Sequence, residues 1–362
     1  MTDKGRHRYI PSMKMAIALV GVAALLAGLG YATKPQWQPW WYAMTICDGN
    51  LSGSDLADVL SKKQLSAGKE VVDTEGRRLK CSVDIPDSHH YELSVTSTAD
   101  SEKMRQDFDM AFTIAHEPRY VFPKNIPGFA SEFGPTVIQE CPALGRDSQG
   151  RKVRLLTTFM GRKDDTAAAL RITVAMANGA SQKLGCGAER LPLPKQTLPK
   201  NLPAVPVQEA RDTMCGWLAD APLPKNKAGG PWLVAAPTDD HAPITDCKLI
   251  AAKDTAPVAD FSGWYGGWTD KPFTELLRNN VDYPENVSPH GPMMSEAFGR
   301  ATAACDGESA NFKASSHASR SEEQISSVDL RALLSAFAKD QAKRHSCTDL
   351  KLPDTIYPAL KH

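Results

Sequence analysis

The chain has 362 residues, 42% of them hydrophobic and 23% charged, with 42 basic against 42 acidic side chains and a formal net charge of zero. This composition supports packed cores and is not that of a disordered chain. It excludes a general nucleic-acid binder, which needs a basic field, and gives no reason to expect an acidic ligand.

Residues 1–14 carry Lys4, Arg6, Arg8 and Lys14, and residues 15–32 (MAIALVGVAALLAGLGYA) carry no charge. Eighteen residues of helix rise about 27 Å, close to the roughly 30 Å of a hydrocarbon core. A basic flank before an apolar run predicts a single membrane span with its N-terminus in the cytoplasm and the rest of the chain outside. A cleaved signal peptide has the same basic start and apolar core, and Gly30-Tyr31-Ala32 suits cleavage. Residues 33–44 favour the retained anchor, because Trp37, Trp40, Trp41 and Tyr42 form the aromatic belt that collects at a membrane interface. The alternative for Trp40 and Trp41 is packing onto the first folded domain.

The eight cysteines stand at 47, 81, 141, 186, 215, 247, 305 and 347, all beyond the apolar run. An even number outside the membrane predicts disulfides, and the absence of close pairs argues against zinc or thioredoxin-like redox chemistry. The intervals within the first four, 34, 60 and 45 residues, nearly repeat in the last four as 32, 58 and 42. Cys186 and Cys347 are both followed by Leu and Pro five and six positions on, and Ala175, Met176 and Ala177 align with Ala336, Phe337 and Ala338. This predicts a tandem duplication with a period of about 165 residues. The expected units are residues 45–194 and 213–362. Residues 195–212, within a proline-rich stretch, join them as an extended linker or as a strap across the first unit.

In the first unit, GSDLADVLSKKQL places Leu56, Ala57, Leu60 and Leu65 on a helical stripe capped by Ser54 or Asp55. LKCSVDI and YELSVTST alternate as a hairpin, SEKMRQDFDMAFTIA has helical spacing, and TVIQEC with KVRLLTTFM forms a second hairpin. Residues 165–184 read as an amphipathic helix with Gly179 as a weak point. Each unit is therefore expected to be α+β, an antiparallel sheet with helices packed on one face. Four cysteines allow three pairings per unit. Sequential pairs, 47–81 with 141–186 and 215–247 with 305–347, are expected because each staples a helix or its approach to a neighbouring strand.

Few residues suggest chemistry. His89 and His90 lie beside Asp84, Asp87 and Glu92, but neighbouring strand residues point to opposite faces and do not chelate one ion. His116-Glu117 lacks the second histidine of a zincin helix, since Tyr120 stands in its place. Ser316-His317 and Asp239-Asp240-His241 are isolated polar clusters, and neither a P-loop nor a dinucleotide fingerprint is present. No metal or cofactor is expected. The segment FSGWYGGWTD is the most site-like: Trp264, Tyr265 and Trp268 among glycines form either an aromatic surface for a glycan or peptide, or core.

The anchor, the tryptophan-rich lead into CDGNLSGSDLADVL and the paired-cysteine repeat resemble membrane-anchored or secreted proteins of actinobacteria. The repeat also loosely resembles the exterior sensor domain of some actinobacterial serine/threonine kinases, without any kinase motif. The resemblance implies no catalytic residues. The functional expectation is a non-catalytic binding module at the cell surface whose partner is a protein or glycan of the envelope, with an envelope hydrolase or a structural accessory as the alternatives.

Overall fold

The computed structural model describes residues 13–60, 69–84, 91–100, 104, 122–130, 134–161, 166–195, 203–227, 229–236, 240, 242–252, 257–270, 273–274, 290–317 and 325–357. Its architecture is α+β, with two antiparallel sheets and five α-helices among the described residues. His89, His90, His116, Glu117, Asp239, His241, Leu65 and most of the SEKMRQDFDMAFTIA segment lie outside the described residues.

The chain opens with two helices, α1 (Met13–Ala32) and α2 (Lys34–Thr45), bent by 79° at the break between them. Pro35 in the first turn of α2 gives a ready restart, since a proline there lacks only an N–H that would be unpaired in any case. Among the described residues no single helix is long and apolar enough to cross a membrane; α1 and α2 together are, by length and composition. Tyr42 and Ala43 of α2 belong to the first core.

Helix α3 (Gly53–Val59) follows and is capped by Ser52, not Ser54 or Asp55. Its Leu56 is buried, as is Leu60 just past its end, whereas Ala57 of the expected stripe is exposed. Strands β1 (Lys69–Asp73), β2 (Arg78–Asp84), β3 (Tyr91–Thr98), β4 (Gly128–Ala130), β5 (Pro135–Glu140) and β6 (Arg154–Gly161) form the first sheet in the order β1-β2-β3-β6-β5-β4. Helix α4 (Thr166–Lys183) covers one face, where Ile172 and Met176 pack with Leu79, Cys81, Val83, Val95 and Phe159. Gly179 is a point of close approach: a Cβ there would lie 2.6 Å from Asn50 Nδ2.

The second sheet contains β7 (Val205–Pro206), β8 (Trp232–Ala235), β9 (Ile244–Ala251), β10 (Pro257–Tyr265), β11 (Met293–Met294), β12 (Phe298–Cys305), β13 (Glu308–Ser316) and β14 (Thr348–Lys351). Its order is β7-β8-β9-β10-β13-β12-β11, with β14 also paired to β12. Without β7 and β14, this is the strand order of the first sheet. Helix α5 (Ser327–Arg344), capped by Ser326, covers one face, with Leu330, Leu333, Leu334 and Phe337 packed on Phe261 and Phe312.

The disulfides are Cys47–Cys81, Cys141–Cys186, Cys215–Cys247 and Cys305–Cys347, the sequential pairs expected. The first and third join the approach to each unit to strands β2 and β9. The second and fourth join the ends of β5 and β12 to the residues just after α4 and α5.

Both described ends of the proline-rich stretch are tied to folded elements. Its start is tied to α4 by Asn178 Nδ2 donating to Leu191 O at 2.9 Å and Leu191 N donating to Asn178 Oδ1 at 2.9 Å. Its end supplies β7, with Val207 and Ala210 in the second core, so that core begins before residue 213. The halves also touch directly. Ile138 and Leu156, on the helix-free face of the first sheet, share a cluster with Ile244, Trp264 and Phe298 from the helix-free face of the second. The β12–β13 hairpin tip adds ion pairs: Lys152 Nζ reaches Asp306 at 2.7 Å and Arg154 Nη2 reaches Glu308 at 2.6 Å.

Candidate functional site

Trp264, Tyr265 and Trp268 do not form an exposed platform. Trp264 is fully buried and Trp268 is 4% exposed, both in the cluster where the two helix-free faces meet. Trp264 Nε1 donates to Ser262 Oγ at 3.0 Å and its ring meets Phe273 edge-on at 5.1 Å. Tyr265 turns to the helix side, where its hydroxyl donates to Gln341 Oε1 at 2.7 Å and its ring stacks on His345 at 3.9 Å. Burial is the main reason its phenol is pushed well above its ordinary value. The glycines serve this packing. A Cβ at Gly263 would lie 2.6 Å from Tyr265 Oη, and Gly266, at φ +101°, seats Arg154 of the first half, 2.9 Å from where a Cβ would be.

The charged chemistry lies on the same helix-free face of the second sheet. Alternation along the strands points Cys247, Phe261 and Phe312 at α5, and Asp246, Lys248, Asp260, Ser262, Lys313 and Arg300 the other way. The register sets these out in rows. Lys248 is opposite Asp260, which is opposite Ser315; Asp246 is opposite Ser262, which is opposite Lys313, which is opposite Arg300. His317, just past β13, is held by its backbone N–H to Val258 O at 2.9 Å.

Asp260 is the hub. Lys313 Nζ reaches its Oδ2 at 2.9 Å, and His317 Nε2 bonds its Oδ1. Burial alone would raise the Asp260 pKa, but Lys313 and His317 together outweigh burial and hold the carboxyl well below the usual range. Asp246 shows the opposite balance. Burial dominates, Lys248 at 3.9 Å offsets it only in part, and Asp260 adds repulsion, so its pKa is pushed up to about 6. Arg300 is buried, donates to Asn311 Oδ1 at 2.7 Å and lies 5.1 Å over the Phe273 ring.

Ser316-His317 is not isolated, because His317 bonds Asp260, a residue with no motif around it. The available signal was a charge inside the otherwise apolar strand segment VADF; pairing it with His317 required the β10–β13 register. Asp240 is ion-paired with Arg344 at 3.2 Å, away from this cluster. Among the described residues no group of three or more His, Cys, Asp or Glu side chains is placed to hold a metal.

Cys81 and Cys247 occupy matching positions, and register extends the match across the sheets. On the first sheet Ser82 is opposite Ser94, opposite Met160, while Lys80 is opposite Thr96, opposite Thr158, opposite Thr136. Asp260 thus corresponds to Ser94, Ser262 to Thr96, Lys313 to Thr158, Arg300 to Thr136 and Trp264 to Thr98.

Fold and cysteines define a disulfide-stapled α+β protein with two sheets of matching strand order. No protein family, curated protein or solved structure matches the chain.

Proposed function

We propose that this is a single-pass, membrane-anchored exterior protein built of two tandem units of one α+β fold, acting as a non-catalytic interaction module. The uncharged run of residues 15–32 behind a basic flank supports the anchor, and four disulfides within the chain suit an oxidising exterior. Shared strand order and equivalent disulfides support the duplication.

One observation carries the interaction role. The second sheet holds Asp246, Asp260, Lys313 and Arg300 where the first holds Lys80 and neutral hydroxyls. Burying ions costs several kcal/mol each before pairing, so sheet packing alone does not call for them. The charges are held in mutual pairs, with Asp260 between Lys313 and His317. Lys313 and His317 are 16% and 28% exposed, so a polar ligand can reach the edge of this cluster, and this points to a protein or glycan of the cell envelope as the partner.

Two experiments test the reading. Val328, exposed on α5, is changed to Cys in a chain whose own cysteines are all paired. A membrane-impermeant maleimide should label it on intact cells; labelling only after lysis would refute the exterior placement. Cross-linking on intact cells, with the wild type beside Asp260→Ser/Lys313→Thr, should lose the captured partner in the variant. Identical capture by a folded variant would remove this face from the function.

A further inference from the structure

Resting on the membrane-anchored reading, we propose that α2 is an interfacial helix that seats the first half directly on the outer surface of a phospholipid bilayer. Trp37, Trp40, Trp41 and Met44 recur at i, i+3, i+4 and i+7, and they are 42%, 56%, 53% and 68% exposed. Behind them, Tyr42 and Ala43 are buried in the first core and Gln38 and Pro39 are buried as well. One side of α2 is therefore part of the folded unit and the other is a bare apolar face.

The occupant follows from continuity. Leu19, Val20, Val22, Leu25, Leu26 and Leu29 of α1 are all exposed, and they do not lie on a single side of the helix. Whatever surrounds α1 continues onto the α2 face, and for an uncharged apolar run behind a basic flank that medium is lipid. The bend sets the depth. With α1 along the bilayer normal, 79° lays α2 in the membrane plane to within the roughly 20° tilt ordinary for spanning helices. Trp37 fixes the corner, its Nε1 donating to Gly30 O at 3.1 Å across the break. Trp40 fixes α2 to α3, since a Cβ on Gly53 would lie 2.5 Å from Trp40 Cε3. Trp40 and Trp41 sit where an apolar ring is buried and an indole N–H meets the headgroups. Lys34, at the corner, brings a cation to the level of the lipid phosphates.

The test uses the full chain in vesicles of phosphatidylcholine and phosphatidylglycerol. With no free cysteine, one added thiol takes a nitroxide label selectively. Labels go to Trp41→Cys and Met44→Cys on α2, Leu25→Cys on α1 and Val328→Cys on α5, and mass mapping checks that the four native disulfides remain. Collision of the label with oxygen, relative to a water-soluble nickel chelate, reports depth. The ratio at positions 41 and 44 should exceed that at 328 several-fold and fall below that at 25. A lipid-like ratio at 25 with water-like ratios at both 41 and 44 would overturn the seating of α2 while leaving the anchor intact. A water-like ratio at 25, with a chain that does not float with the vesicles, would overturn the anchored reading and this proposal with it.

Discussion

The helix-free faces of the two sheets share six strands in one order and differ in chemistry. On the first, Ser82, Ser94, Thr96, Thr98, Thr136 and Thr158 are all buried. On the second, the corresponding positions hold Lys248, Asp260, Ser262, Trp264, Arg300 and Lys313. A hydroxyl is both donor and acceptor and settles into a sheet with little loss, whereas buried ions must be matched in charge and geometry. The backbone arrangement thus tolerates either set, and the charged set adds an electrostatic requirement that the fold itself does not impose.

The largest test of this comparison is at the position shared by Thr98 and Trp264. Trp264→Ala should cost about 4 kcal/mol, because it empties the cluster between the faces, while Thr98→Ala should cost about 1 kcal/mol; urea unfolding of each variant measures both. Equal costs would mean that the two faces do not meet through Trp264. Next, Asp260→Asn should cost about 3 kcal/mol, because Lys313 loses its buried counter-ion, while Ser94→Ala should cost about 1 kcal/mol or less.

A sharper version exchanges chemistry between the faces. Asp260→Ser with Lys313→Thr installs the first sheet's residues and should cost only about 1 kcal/mol, well below Asp260→Asn alone, since it removes both ions together. A double variant as unstable as the single one would show that the second sheet requires its charges.

The smallest effect concerns Asp246. Its carboxyl, pushed up to about 6 in the folded protein, prefers its proton there more than in the unfolded chain. Its contribution to stability is therefore present at low pH and lost as the pH rises through about 6. Asp246→Asn should raise the free energy of unfolding at pH 7, by an amount of order 1 kcal/mol, and the gain should vanish below about pH 4. A gain independent of pH would assign the effect to packing instead.

Much of the architecture was legible from covalent spacing. The cysteine intervals anticipated matching elements, and the alternation in LKCSVDI and YELSVTST identified β2 and β3. The burial of GWYGGW was not legible. The sequence left FSGWYGGWTD as either an aromatic surface or core, and the choice depends on contacts such as Arg154 of the other half against Gly266. Val205 and Pro206 were hidden for a related reason: a proline-rich segment lacks strand periodicity, and its end pairs only because β8 offers an edge. The Asp260–His317 pair, 57 residues apart, needed the register of β10 on β13.

The four disulfides also set how the molecule responds to load. Their loops span 34, 45, 32 and 42 residues, none overlapping another. Together they take up about half of the stretch from Cys47 to Cys347, at roughly 3.5 Å of contour per residue. Pulled from its two ends, this stretch can therefore lengthen only through the segments between the staples, and oxidised it has about half the reach it has when reduced.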